Sequence, residues 1–179
     1  MVVEETAIVG LRSIHFKSVT DERGTVGEFF RMSAFREAGL PAPATWAQIN
    51  MTWTNRGGIR GLHGESMTKL VGVAAGTAYG AYLDARPDSP TRGTVVTAQL
   101  SAGVQMLVPP GVCNGFQATS DPGCQYFYCF DQEWMPGMAG VGVNPLDPDL
   151  AIAWPIPPTP DDPSMMSVKD ASAPRFRDI

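Results

Sequence analysis

The apolar positions of this chain fall in short runs of Val, Ala, Tyr and Thr, punctuated at close intervals by nineteen glycines and sixteen prolines. Such punctuation leaves room for many strands and few helices. Three consecutive segments, Lys69 to Ala75, Thr77 to Asp84 and Thr94 to Leu100, read as strands, with Gly76 and the Arg86 to Gly93 stretch supplying the turns. Gln105 to Pro109 and Gln125 to Phe130 continue the series. Strands at this spacing predict a sandwich or barrel rather than alternating strand-helix units. The helical candidate is Ser33 to Ala38, with Ser33 as N-cap and Gly39 as stop. Near the end, Pro155 to Pro163 carries five prolines and predicts an extended connector. A polar tail, Ser167-Val168-Lys169-Asp170-Ala171, follows it. Spacing does not decide whether Asp170 returns to a functional site.

At 179 residues, with 44% hydrophobic content, the chain is expected to form one domain with an ample core. A net charge of −5, with 13 scattered basic residues, excludes a general nucleic-acid surface, which needs a concentrated basic face. Cys113, Cys124 and Cys129 are odd in number and lack a C-x-x-C pair. They read as buried thiols in a reducing compartment. The N-terminus is acidic and carries no apolar signal-peptide core, and no stretch approaches the ~18 to 20 apolar residues of a spanning helix. A soluble cytoplasmic protein with no membrane partner is the expectation.

Candidate chemistry concentrates in Gly58-Ile59-Arg60-Gly61-Leu62-His63. Residues three apart on a regular strand face opposite sides of the pleat. For Arg60 and His63 to share a site the backbone must bend or bulge there, and Gly61 permits it. The chain has two histidines, His15 and His63, too few and too far apart in sequence to suggest a catalytic metal, so none is expected. A histidine near Arg60 and Lys69 is then best employed as a general base whose anionic product the cations hold. Tyr126 and Tyr128 alternate along one strand and so share a face. Either they fill the interior or one of them donates a proton into it.

Several stretches together resemble a known family. They are Asp21-Glu22-Arg23-Gly24, Arg60-Gly61-Leu62-His63, Lys69-Leu70-Val71, the run from Asp84 to Gly93, Leu100-Ser101-Ala102, Val108-Pro109-Pro110-Gly111, Tyr128, Asp147-Pro148, Ala153-Trp154-Pro155 and Ser167 to Ala171. In this order they resemble the dTDP-4-dehydrorhamnose 3,5-epimerases, the RmlC-like sugar epimerases. The resemblance implies an all-β, cupin-type jelly roll with a few short peripheral helices, covering residues 1–179, with residues 155–179 as a connector and tail packed on the barrel. It implies a homodimer that uses no metal or other cofactor and acts on a dTDP-4-keto-6-deoxyhexose in deoxysugar biosynthesis. By the same resemblance His63 is the base that removes the proton beside the ketone, Asp170 orients it, and Tyr128 is the acid on the opposite face. Lys69 and Arg60 hold the ketone oxygen. Arg23, Arg60, Gln48 and Asn50 serve the diphosphate and its surroundings, with Glu28 and Lys169 as further substrate-site positions.

Two departures stand out. Where the family commonly has a second histidine, this chain has Asn114, which hydrogen bonds but is neither acid nor base at neutral pH. The usual aspartate is replaced by Gly80, so an auxiliary His-Asp pair is lost as a unit. In addition, Glu133-Trp134 stands where a Tyr-Tyr pair is usual, leaving Trp134 to stack on a base or sugar. Three readings therefore remain at this level. One is a two-centre epimerase acting at C3 and C5. Another is a single-centre epimerase for a modified deoxysugar of a natural product or surface glycan. The third is a non-catalytic barrel that binds a sugar nucleotide.

Overall fold

The structure, a computed structural model, describes residues 1–43, 46–159 and 161–179. Two antiparallel sheets face one another. One contains β1 (Val2–Glu5), β2 (Arg12–His15), β10 (Val104–Val108), β7 (Lys69–Ala75), β12 (Gly123–Phe130) and β5 (Gln48–Asn55), in that spatial order. The other runs β13 (Gly140–Gly142), β6 (Ile59–Glu65), β11 (Val112–Ala118), β8 (Ala78–Asp84) and β9 (Val95–Leu100). From β5 onward the chain passes repeatedly from one sheet to the other, the winding of a jelly roll. A separate hairpin, β3 (Ser18–Asp21) with β4 (Gly24–Gly27), precedes the short helix α1 (Met32–Glu37).

Strand alternation explains the core. On β7, Val71 and Val73 point between the sheets, where they meet Tyr82, Met106, Phe116 and Tyr126, while Leu70 points outward against Ile14, Phe35, Leu107 and Cys129. A strand buried on both faces reads as an unbroken apolar run, which is why Lys69 to Ala75 was legible as a strand. The outer face of the smaller sheet is likewise covered: Leu62, Leu83 and Cys113 pack with Leu150, Trp154 and Phe176 from the C-terminal segment. Inside the barrel the Phe116 and Tyr126 rings stack at 3.9 Å and 2°. Burial of one such ring stabilises by about 1.5–3 kcal/mol, and the stacking adds about 0.5–1.5 kcal/mol.

The expected Ser33 cap is not used. Helix α1 begins at Met32, its N-cap residue is Arg31, and no side chain caps it. Burial of Phe35, edge-on to Phe30 at 4.7 Å, holds this turn in place of a capping hydroxyl. The predicted stop holds, since Gly39 takes φ +68° and its N–H donates to the Arg36 carbonyl. All three cysteines are buried free thiols. Among the described residues no helix is long and apolar enough to cross a membrane.

Candidate active site

A cleft of about 1110 Å³ opens between the two sheets, and His63, Asp170, Tyr128, Lys69, Arg60 and Asn114 all line it. The segment that carries Arg60 and His63 bends as its sequence requires. Opposite β11, His63 pairs with Asn114 but Arg60 pairs with Phe116, so three steps on β6 match two on β11. The extra residue puts Arg60 and His63 on one face. Gly61 sits at this irregularity with φ +118°, and a Cβ there would lie 2.6 Å from Gly115 Cα and 2.8 Å from the Asn114 carbonyl oxygen. Glycine is therefore demanded by both dihedral and space. Arg60 reaches across the cleft to the other sheet, where its Nε donates to Thr54 Oγ1 at 2.9 Å.

Asp170 arrives from helix α2 (Val168–Ala171), whose first turn is capped by Ser167: the Asp170 N–H donates to Ser167 Oγ at 3.1 Å. Asp170 Oδ1 lies 2.7 Å from His63 Nε2, and Oδ2 accepts from the Gly61 N–H at 3.5 Å. Burial alone would raise the Asp170 pKa, but the bond and charge of His63, with Ser167 and Gly61, hold it below the usual carboxylate value. An ionised carboxylate only accepts, so Nε2 carries a proton, and in the neutral form of the ring Nδ1 is left with a free lone pair. That is the tautomer of a general base.

Lys69 is 2% exposed. Its ammonium donates to the His63 carbonyl oxygen at 3.1 Å and pairs with Glu65, the residue at the far end of the turn joining β6 to β7. An ammonium has three N–H donors. Two are engaged here and one remains for a ligand. Nothing in the residue pattern indicated that Glu65 neutralises this lysine; the pair forms because the 66–68 turn carries the chain from the end of β6 in one sheet to the start of β7 in the other, leaving the two side chains facing each other.

The two candidate tyrosines part company. Tyr126 is wholly buried against Phe116, whereas Tyr128 reaches the cleft. Burial pushes the Tyr128 phenol up to about 12, against the opposing pulls of the Thr52 hydroxyl and, less strongly, the Arg60 charge. Tyr128 stands on β12 and His63 on β6, so a base and a phenol come from facing walls. Asn50, Trp134 and Lys169 also line the cleft. Gln48 stands behind them, donating to Asn50 Oδ1 at 3.0 Å and accepting from the Trp134 N–H at 2.7 Å. Arg23 and Glu28 do not line it. Arg23 projects from the β3–β4 hairpin and pairs with Asp21, and Glu28 pairs with Arg31.

The sequence pattern of a family described as dTDP-4-dehydrorhamnose 3,5-epimerase matches residues 5–178. The chain belongs to this family. The dTDP-4-dehydrorhamnose 3,5-epimerase of Salmonella typhimurium is 32% identical over 180 residues, covering 97% of this chain and 94% of that protein. The Legionella pneumophila dTDP-6-deoxy-D-glucose-3,5-epimerase, solved with dTDP-4-keto-L-rhamnose, superposes with a TM-score of 0.86 at 31% identity, covering 98% of this chain and 93% of that one. A 3′-monoepimerase from Streptomyces bikiniensis, solved with dTDP-quinovose, gives 0.85 at 30% identity, covering 97% and 87%. Two-centre and single-centre epimerases thus resemble this chain about equally. The neighbours also place the sandwich among the cupin-type jelly rolls expected from the sequence.

Within the epimerase family the two departures now have a physical setting. Asn114 pairs with His63 on one side and with Tyr82 on the other, so all three point into the barrel. Its Oδ1 is buried with no hydrogen-bond partner among the described residues. A Cβ on residue 80 would lie 2.7 Å from the Tyr82 hydroxyl oxygen. The tyrosine thus occupies the space that a side chain at Gly80 would need.

Proposed function

We propose that this protein epimerises a dTDP-linked 4-keto-6-deoxyhexose beside its ketone, in deoxysugar biosynthesis. The observation that carries the reading is the pairing of a charge-oriented base with a phenol on the facing wall: His63 held by Asp170 at 2.7 Å, and Tyr128 across the cleft. A binding barrel needs neither. His63 Nδ1 takes the proton from the carbon next to C4, and the electron pair moves onto the C4 oxygen as an enolate. The free N–H of Lys69 and the Arg60 guanidinium lie in the cleft to hold that oxygen. Tyr128 then gives its proton to the opposite face of the carbon, which inverts the centre. A positioned acid or base contributes ~10² to 10⁴ in rate, and an oxyanion donor ~10² to 10³.

The reading extends to a homodimer. Strand β5 is the edge of its sheet and turns Ile49, Met51 and Trp53 outward, at 59%, 58% and 50% exposure. An exposed apolar edge of this length invites pairing with another copy. Arg23 and Glu28, which find no place in the cleft of their own chain, would then serve the neighbouring one. Sedimentation showing only monomer at micromolar concentration removes this part of the reading.

The deciding experiment is incubation with dTDP-4-keto-6-deoxyglucose in D₂O, followed by NMR and mass spectrometry. Deuterium at C3 and C5 identifies the two-centre reaction. Deuterium at one carbon identifies the single-centre reaction, which Asn114, in place of the auxiliary histidine, keeps as a specific second reading. Binding with no exchange at either carbon overturns the assignment.

A further inference from the structure

On its cleft side β5 presents Gln48, Asn50, Thr52 and Thr54, the alternate residues of one strand face. Three of them have partners. Gln48 bonds to Asn50 and to the Trp134 N–H, and Thr54 accepts from Arg60 Nε. The Thr52 hydroxyl oxygen is buried and makes no hydrogen bond of good geometry among the described residues. Valine has the same branched shape and would bury no polar atom, so packing does not explain a hydroxyl at this position.

The register sets Thr52 beside the acid. Thr52 lies opposite Tyr126 on β12, and Asn50 lies opposite Tyr128. Thr52 is therefore the diagonal neighbour of Tyr128 on the same face, a separation of about 7–8 Å that an aromatic side chain spans. Both residues line the cleft. Burial raises the Tyr128 pKa, and of the groups that pull it back the Thr52 hydroxyl is the strongest, ahead of the Arg60 charge. Tyr126 does not compete for this role, because its hydroxyl is directed at Tyr82. When Tyr128 gives up its proton it becomes a phenolate in a poorly solvated wall, and such an anion needs a donor. Hydrogen bonds to a catalytic group tighten as that charge develops.

We propose that Thr52 is a positioning residue for the acid: its hydroxyl donates to the Tyr128 oxygen, which leaves the phenol's own proton to point at the substrate carbon and steadies the phenolate once that proton has gone. A phenol oxygen that accepts from one neighbour still donates to another. No bond to carbon is made or broken at Thr52, and its proton stays on its own oxygen. The inference rests on the epimerase reading above and adds to it the group that aims the acid.

The test compares wild type, Thr52→Val and Thr52→Ser on dTDP-4-keto-6-deoxyglucose in D₂O, with Tyr128→Phe as a second background. Thr52→Val keeps the shape and removes the hydroxyl. Its kcat for inversion should be lower by about ten- to a hundredfold, the worth of one hydrogen bond to a charged oxygen, with KM unchanged. Deuterium in recovered substrate should rise relative to inverted product, because the base still works while the acid is slowed. Thr52→Ser, which keeps the hydroxyl, should bring both readouts back towards wild type. In Tyr128→Phe the phenol oxygen is gone, so adding Thr52→Val should lower inversion by no more than about twofold, whereas a packing defect would multiply with the loss of the acid. Unchanged kcat and partitioning in Thr52→Val, or losses that multiply in the double variant, overturn this inference alone where the wild type is active. A wild-type protein that neither turns over nor exchanges the sugar overturns the epimerase reading, and this inference with it.

Discussion

His63 Nε2 and Asp170 Oδ1 stand 2.7 Å apart although 107 residues separate them in sequence. The carboxylate fixes both the tautomer and the direction of the ring, so its removal should hurt the base without removing it. Asp170→Asn is expected to lower kcat by about a hundredfold or more with a small change in KM, and His63→Ala to abolish deuterium incorporation. Steady-state kinetics with the exchange assay checks both: near-normal turnover in His63→Ala would remove His63 from the mechanism, and in Asp170→Asn it would remove the orienting role of Asp170.

Tyr128→Phe separates the two half-reactions. With base and oxyanion donors intact the enolate still forms, but its opposite face lacks a proton donor. Inversion should fall by ~10² to 10⁴ while deuterium continues to enter unepimerised substrate. Loss of exchange together with inversion would mean that Tyr128 helps form the enolate, and its role as the acid would fail.

Glu65 and Lys69 form an ion pair at the cleft floor, with side chains 19% and 3% exposed. Breaking such a pair leaves a charge poorly solvated. Glu65→Gln is expected to cost about 3 kcal/mol in urea unfolding and to weaken substrate turnover through the displaced ammonium. A stability within 0.5 kcal/mol or so of wild type would show that water reaches the lysine freely.

How much of this was legible depended on how local each signal was. The strands Lys69 to Ala75 and Gln125 to Phe130 carry their pattern in consecutive residues, and the structure places them within two residues of those bounds. The bend at Gly61 was legible because the pleat has a fixed period. Strand β5 was missed: its outward residues Ile49, Met51 and Trp53 are apolar although exposed, which blurs the alternation with Gln48, Asn50, Thr52 and Thr54 on the cleft side. The Glu65–Lys69 pair and the approach of Asp170 to His63 depend on how a turn and a distant tail fold back. Spacing along the chain cannot carry either, and resemblance alone pointed to Asp170.

Asp84 shows that a motif can be strong in sequence yet serve structure. Its carboxylate is fully buried and accepts from Arg86, Ser89 and Thr91 at 2.5–2.8 Å, closing the loop that ends at Gly93. Burial by itself would raise its pKa, but these bonds hold it far below the ordinary carboxylate value. A depressed folded-state pKa means that the stabilisation is complete above about pH 4 and is lost as pH falls further. Asp84→Asn should therefore destabilise by about 2–4 kcal/mol at pH 7. Measured by urea unfolding, its deficit against wild type should shrink below pH 4, and a deficit that stayed constant down to pH 2 or so would contradict the assignment.

Gly80 and Tyr82 should behave as one unit. A Cβ on residue 80 would meet the Tyr82 hydroxyl oxygen at 2.7 Å and its ring carbons at 3.0 and 3.1 Å, and that ring, wholly buried, has no room to withdraw. Gly80→Ala is thus an overpacking substitution, expected to cost about 1–3 kcal/mol despite the better strand propensity of alanine. Shortening the neighbour to Leu removes the obstruction, so in a Tyr82→Leu background the same change should cost almost nothing. A double-mutant cycle by urea unfolding should give a coupling of about 1 kcal/mol or more, and additive effects would show that Tyr82 is not what keeps residue 80 a glycine.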